Sequence, residues 1–168
     1  RYFLLKFTRN SVIAFDFKEA LSFEGETGPY CQYAAVRANS IFRKLDDQAS
    51  AKAEELIVKA GSEGSEAEVS KIAEVLAGEA GTEIWSLVML AERLEEVIAQ
   101  CTNSAEPANL AKYTFTLARA FNLFYHRHRI IAEEDEIKRA VLIGVANVTR
   151  RQLTSALATL GIAVPERM

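Results

Sequence analysis

"GPYCQYAAVRANSIFRKL", residues 28–45, opens with Gly-Pro and carries two tyrosines and five basic or amide side chains among small and apolar residues. Proline near its start suits the first turn of a helix, where the missing N–H has no partner to lose. On a helical wheel Tyr30, Tyr33, Arg37, Ser40 and Lys44 form one stripe about 80° wide. Cys31, Ala35, Ala38, Phe42 and Leu45 form the adjacent stripe, small and apolar, suited to close packing on another helix. Two arrangements fit the first stripe. The tyrosines edge the core with hydroxyls in water, or the aromatic and guanidinium groups form a surface that stacks a base and pairs with phosphates.

The same helical reading extends over the chain, and the fold expected is an all-α helical bundle. "RYFLLKFTR" is an apolar helix end, and "DFKEALSF" offers Asp16 as N-cap with Glu19 three positions on, a capping box. "SAKAEELIVKAG" and "EAEVSKIAEVLAG" each close on a glycine. "TEIWSLVMLAERLEEVIAQC" reads as one helix after a Thr82 cap, and "EPANLAKYTFTLARAFNLFYHRHRI" carries Pro107 in its first turn. "EDEIKRAVLIGVANVTRRQLTSALATLG" starts on acidic residues, as the helix dipole favours, and stops at Gly161. Only "SVIAFDF" alternates with period two. Residues 1–168 are expected to form a single domain, with "GSEGSE" (61–66) as a flexible connection.

Composition bounds the function. Hydrophobic residues make up 49% of 168, enough for a sizeable core. No apolar run approaches the roughly 20 residues that span a bilayer, so no membrane role is expected. Cys31 and Cys101 are widely spaced and read as reduced structural thiols in a cytoplasmic protein. The start, Arg-Tyr-Phe-Leu-Leu, reads as a cut within a helix of something longer. The net charge of −3 is segregated: +3 over residues 1–45, −10 over 46–106 and +4 over 107–168. Residues 28–45 and 107–168 are therefore expected to share a mildly basic face, with Glu54, Glu55, Glu95 and Glu96 turned away from Tyr33 and Arg37.

The second aromatic and basic concentration is "RAFNLFYHRHR", residues 119–129. Tyr113, Leu117, Ala120 and Phe124 line one face and read as core; Phe121 and Tyr125 lie on another side, continued by Asn122 and Arg129. His126 and His128 are two apart and do not share a helix face, so no metal site is expected. The chain has no G-x-x-x-x-G-K-[ST], G-x-S-x-G or H-E-x-x-H motif. "EGE" (24–26) and "EEDE" (133–136) read as helix-start charges. No catalytic site is expected within these residues.

"TGPYCQYAAVRANSI" resembles the "GPYxQYAHxR" helix of arginyl-tRNA synthetases, and the flanks agree in order. "RYFLLKFTRNSVIAFDFKEAL" resembles the link that follows the catalytic domain of that family. "EPANLAKYTFTLARAFNLFYHRHRI" resembles its helix of the form "hxLxxYLxxLAxxFxxFY", and the end, "LGIAVPERM", resembles "LGIxxPExM". The resemblance implies the carboxyl-terminal, DALR-type anticodon-binding bundle of a class I synthetase for arginine. It implies an enzyme, arginine–tRNA ligase, only as the full-length parent, with ATP and Mg2+ bound upstream and no cofactor held by this fragment, which alone is expected to be inactive. The implied partners are the anticodon stem-loop of an arginine tRNA and the catalytic domain of the same chain, in a monomer. Tyr30, Tyr33, Arg37, Phe121, Tyr125 and Met168 match the positions that the family turns to tRNA, and the implied middle anticodon base is cytosine. Ala35 stands where many members have histidine and Phe121 where some have tyrosine. The alternatives are the anticodon-binding appendage of a different synthetase and a non-catalytic protein-interaction bundle using the acidic segment 46–106.

Overall fold

The computed structural model describes residues 1–62 and 65–168. Its helices are α1 (Tyr2–Leu5), α2 (Phe17–Leu21), α3 (Gly28–Lys44), α4 (Asp47–Ala60), α5 (Glu66–Ala77), α6 (Gly81–Glu92), α7 (Leu94–Ser104), α8 (Ala108–Arg127) and α9 (Glu136–Thr159). No strand occurs among the described residues, so the fold is all-α as expected. Residues 63 and 64, at the centre of the expected connection, lie outside the described residues. The alternating "SVIAFDF" is not a strand. It runs into α2 with Val12, Phe15 and Phe17 exposed, and Phe15 sits edge-on to Phe3 and Phe17 at 5.0 and 4.9 Å. A lone extended segment has no partner strand for its backbone groups.

Side chains cap the starts of four of the described helices, α2, α3, α4 and α9. Asp16 accepts from the N–H groups of Lys18 and Glu19 at 2.7 and 3.0 Å. The capping box is only half made, because the Glu19 carboxylate turns to Lys6 at 2.7 Å. Thr27, which the sequence reading had not used as a cap, opens α3: its hydroxyl accepts from Tyr30 N–H at 3.2 Å and donates to the Ser22 carbonyl at 2.6 Å. Asp46 and Asp135 cap α4 and α9 in the same way. Gly61 and Gly78 end α4 and α5 as expected.

One expected helix divides. The segment read as continuous over 82–101 breaks at Arg93, and α6 starts at Gly81 with no side-chain cap from Thr82. At the break the Tyr113 hydroxyl of α8 donates to the Ala91 carbonyl at 3.0 Å, supplying a donor to a group at the helix end. Burial pushes the Tyr113 phenol up to about 12, so it stays a donor at neutral pH.

The helices are arranged around α9. Residues 140–146 of α9 are buried without interruption, as befits a helix covered on every side. Around it pack α3, α4, α5, α6 and α8. Gly144 allows the α4 approach: a Cβ there would lie 2.2 Å from Ile57 Cδ1. The principal neighbours of α3 are α8 and α9, whereas α4 rests on α9 and α5, and α7 on α8 and α6. The two mildly basic segments therefore do pack together. Carboxylates on α4 and α7 are engaged locally, Glu55 with Lys59 at 2.6 Å and Glu96 with Arg93 at 3.2 Å.

After α9 the chain reverses at Gly161, whose φ is +68°. Gly161 N–H donates to the Ala158 carbonyl and Ile162 N–H to the Leu157 carbonyl, both at 2.8 Å, the Schellman pattern. The Arg1 guanidinium donates to the Gly161 carbonyl. Gly161→Ala forces an L side chain into the left-handed region and against Arg1, and should lower stability by about 1–2 kcal/mol. A urea-unfolding midpoint equal to that of the unsubstituted chain would contradict this account of the helix end.

Candidate nucleic-acid interface

Helix α3 turns its small side chains inward. Cys31, Ala34, Ala35 and Ala38 have no exposed surface, and Ile41 and Leu45 continue the buried face. Burial pushes the Cys31 thiol up to about 12, so it is a packing residue and not a nucleophile. With α3 so close to its neighbours, the side chains on its edge reach across to α8. The Arg37 guanidinium lies against the Tyr33 ring, 4.5 Å from its centroid, and against the Tyr125 ring of α8 at 4.9 Å. Arg37 Nη2 donates to the Tyr33 hydroxyl at 2.8 Å, and Nη1 donates to Asn122 Oδ1 at 3.0 Å. Among the described residues no carboxylate pairs with Arg37. Its positive charge is held in place but not neutralised. Tyr33 remains 38% exposed, which leaves ring surface open to solvent.

Three of the six expected side chains, Tyr33, Arg37 and Tyr125, thus meet in one cluster. Tyr30 is half-buried and packs at 5.3 Å on Phe115, one turn nearer the start of α3. Phe121 requires a correction. It has no exposed surface, lying 6.2 Å from Phe124 and 6.3 Å from Tyr125, so it supports Tyr125 from within the core and offers no ring face outward. The wheel put it on the side of Tyr125, but α8 is enclosed by α3, α6, α7 and α9, and its buried sector is wider than one stripe. Met168 is half-exposed at the end of a tail laid along α3. Gln32 Nε2 donates to the Ala163 carbonyl and Arg43 Nη1 to the Glu166 carbonyl, each at 2.7 Å.

The sequence reading missed several of these groups. Asn122 had been noted only as continuing one side of α8, and Gln32 and Arg43 had no assigned role. Their signal was positional: all three are polar residues flanking an apolar helix seam. Phe42, read as part of the small apolar stripe, is covered by the Arg150 guanidinium at 4.3 Å. This extends the cation–aromatic pattern to the side of α3 facing α9.

The histidines behave as expected of a helix end. His126 is exposed, while His128 caps α8 with its ring 5.0 Å from Phe124 and its Nε2 buried without a partner among the described residues. Burial pushes the His128 imidazole below its ordinary value, an effect that Glu83 partly opposes. The unfolded chain therefore takes up a proton here before the folded one does, and stability falls as pH drops below about 6.5. His128→Phe is expected to flatten the thermal midpoint between pH 7 and pH 5; an unaltered profile would locate the titration elsewhere.

Residues 31–168 match the family model described as the DALR anticodon binding domain. The chain belongs to that family. Arginine–tRNA ligase of Clostridium botulinum is 34% identical over 164 residues, which are 98% of this chain and 25% of the relative. The same enzyme of Lactococcus lactis is 33% identical over 169 residues, covering all of this chain and 26% of the relative. Among solved structures, Thermus thermophilus arginyl-tRNA synthetase superposes with a TM-score of 0.74 at 28% identity, over 99% of this chain and 25% of the other. A Campylobacter jejuni structure, at 18% identity and a TM-score of 0.68, shares the fold. The chain spans about a quarter of the length of the curated relatives it matches.

Proposed function

We propose that this chain is the part of an arginine–tRNA ligase that binds the anticodon stem-loop of an arginine tRNA. The observation that carries the reading is the Arg37 guanidinium held between Tyr33 and Tyr125 with no acidic partner. Two of its five N–H donors are used by Tyr33 and Asn122, and three remain for phosphate oxygens. An unstacked anticodon base offers two π faces, and the exposed surface of Tyr33 and the rim of Tyr125 are of a size and rigidity to receive one. Tyr30 sits at the upper end of the same stripe, and Met168 adds apolar surface from the tail. Phe121 contributes by holding Tyr125.

The remainder of the parent protein would carry arginine activation with ATP and Mg2+. On this reading no step of that chemistry falls to the 168 residues. No helix of the described residues is long and apolar enough to cross a membrane. We propose a cytoplasmic location for the parent enzyme. Val12, Phe17, Leu21 and Phe23 are each exposed, and cover by the catalytic part of the same parent chain would suit them.

Tyr33→Ala should weaken binding of an arginine tRNA by about 1–3 kcal/mol, the worth of one stacked base. Removing the Arg37 side chain should also flatten the salt dependence of binding, since a phosphate contact and its released counterions are lost. Unchanged tRNA affinity in both variants, with lowered unfolding midpoints, would return the two residues to edge packing of the core. The 168 residues alone are expected to catalyse no arginine-dependent exchange of pyrophosphate into ATP; exchange above a protein-free blank would overturn the division of labour.

A further inference from the structure

We infer that the exposed side of α8 is a track for the phosphates of a base-paired RNA stem, an inference that rests on the anticodon-binding reading above. Helices α3 and α8, of 17 and 20 residues, contain no Asp or Glu, although the chain holds 23 of them. The two helices pack on each other, so neither brings a carboxylate to their common seam. Lys112 and Arg119 are exposed and seven residues apart on α8, which sets them on one line about 10 Å apart. Neither pairs with a carboxylate among the described residues. Contacts on either side fix where this line lies. Toward α3, the Phe115 ring meets Tyr30 at 5.3 Å and Asn122 meets Arg37 at 3.0 Å. Toward α6, the Tyr113 hydroxyl reaches the Ala91 carbonyl at 3.0 Å and Arg127 pairs with Glu83. Lys112, Thr116, Arg119 and Leu123 lie exposed between these two sets of contacts.

Arg119 precedes Asn122 by three residues, so the track begins one turn from the Arg37 cluster and runs toward the start of α8. At its other end Lys112 shares a groove with Arg93, Gln100, Asn109 and Thr116, whose lining holds no carboxylate. Glu96, outside that lining, holds Arg93 and Gln100 at 3.2 and 2.8 Å and leaves Lys112 free. Unpaired cations on a line favour a partner with regularly spaced negative charge, which a nucleic-acid backbone supplies whatever its sequence. Unpaired bases need rings to stack on, and Lys112, Thr116, Arg119 and Leu123 present none. In a paired stem the bases stack on one another and the phosphates are outermost, so cations without rings suit it. Such contacts set register and orientation without reading bases. The track therefore orients a stem whose loop is taken by Tyr33, Arg37 and Tyr125.

The test compares two labelled RNAs over a range of salt, an anticodon stem-loop of an arginine tRNA and its loop alone as an unpaired oligonucleotide. Lys112→Ala and Arg119→Ala should each weaken binding of the stem-loop roughly five- to tenfold at about 0.1 M salt, and lower its salt slope by about one. Binding of the loop oligonucleotide should not change. Leu123→Lys adds a cation to the line and should tighten binding of the stem-loop and steepen its slope, a gain that loss of folding cannot imitate. Exchanging base pairs within the stem should leave all three effects in place. Salt slopes unaltered in the three variants would overturn the inference while leaving the anticodon reading intact. An equal loss on the loop oligonucleotide would move both cations into the loop site and overturn the track. Effects that follow the stem sequence would also overturn it, since phosphates carry none. Failure of the unsubstituted chain to bind either RNA would overturn both readings.

Discussion

The distance between α3 and its neighbours is the constraint on which the rest depends. Four side chains of α3 with no exposed surface, Cys31, Ala34, Ala35 and Ala38, are all small, and small residues at a helix contact let the axes approach closely. At that separation a side chain on the flank of α3 spans the seam. Arg37 reaches Asn122 and lies on Tyr125, both on α8, without leaving its own helix neighbour Tyr33. A bulky residue at Ala35 or Ala38 would push α3 outward and open the cation–aromatic cluster along with the core. The cation–aromatic cluster is thus a consequence of the packing distance, with no separate loop required to build it.

What distinguishes Arg37 electrostatically is the neutrality of its partners. A guanidinium between two aromatic rings gains from the quadrupole of each face, and a phenol and an amide satisfy two of its donors. Neither cancels its charge. A carboxylate in the place of Asn122 would hold the side chain as firmly but would compete with phosphate. Three acidic side chains of the middle segment pair with nearby cations, Glu55 with Lys59 and Glu96 with Arg93, and Glu83 with Arg127 at the far end of α8. A net charge of −3 therefore coexists with an unneutralised cation on the α3–α8 face. Overall charge is a poor guide when opposite charges are segregated by helix.

The stripe on α3 was legible in the sequence because the seam toward α8 and α9 takes one continuous sector of small side chains, although Val36, on the opposite side, is buried as well. Helix α8 was legible in part. Its core residues Tyr113, Leu117 and Phe124 were found, but Phe121 was assigned outward because a single-stripe reading underestimates burial on a helix with four packed neighbours. The central place of α9 had a weak signal, since its continuously buried stretch of residues 140–146 lies within a helix that is polar at both ends. The break at Arg93 had none. Leu87, Ala91, Leu94 and Val97 are all buried and keep helical spacing across it, and the group that serves the broken end, the Tyr113 hydroxyl, comes from a different helix. Pattern within one element cannot report a hydrogen bond supplied by another.

The carboxyl-terminal tail shows a different division between sequence and context. Its turn is written locally, in the one residue type that enters the left-handed region without strain. Its path is not. The tail is anchored through two of its carbonyl oxygens, at Ala163 and Glu166, and the donors are Gln32 and Arg43 of α3. Contacts to backbone oxygens let α3 fix where the tail runs, and Ile162 and Val164 add apolar packing against the core. Helix α3 therefore organises both halves of the surface. Tyr33 and Arg37 join it to α8, and Gln32 and Arg43 bring residues 163–168 along its exposed side. Loss of the small-residue seam would displace both halves together, which is why a packing property of α3 and the composition of its outer surface cannot be separated.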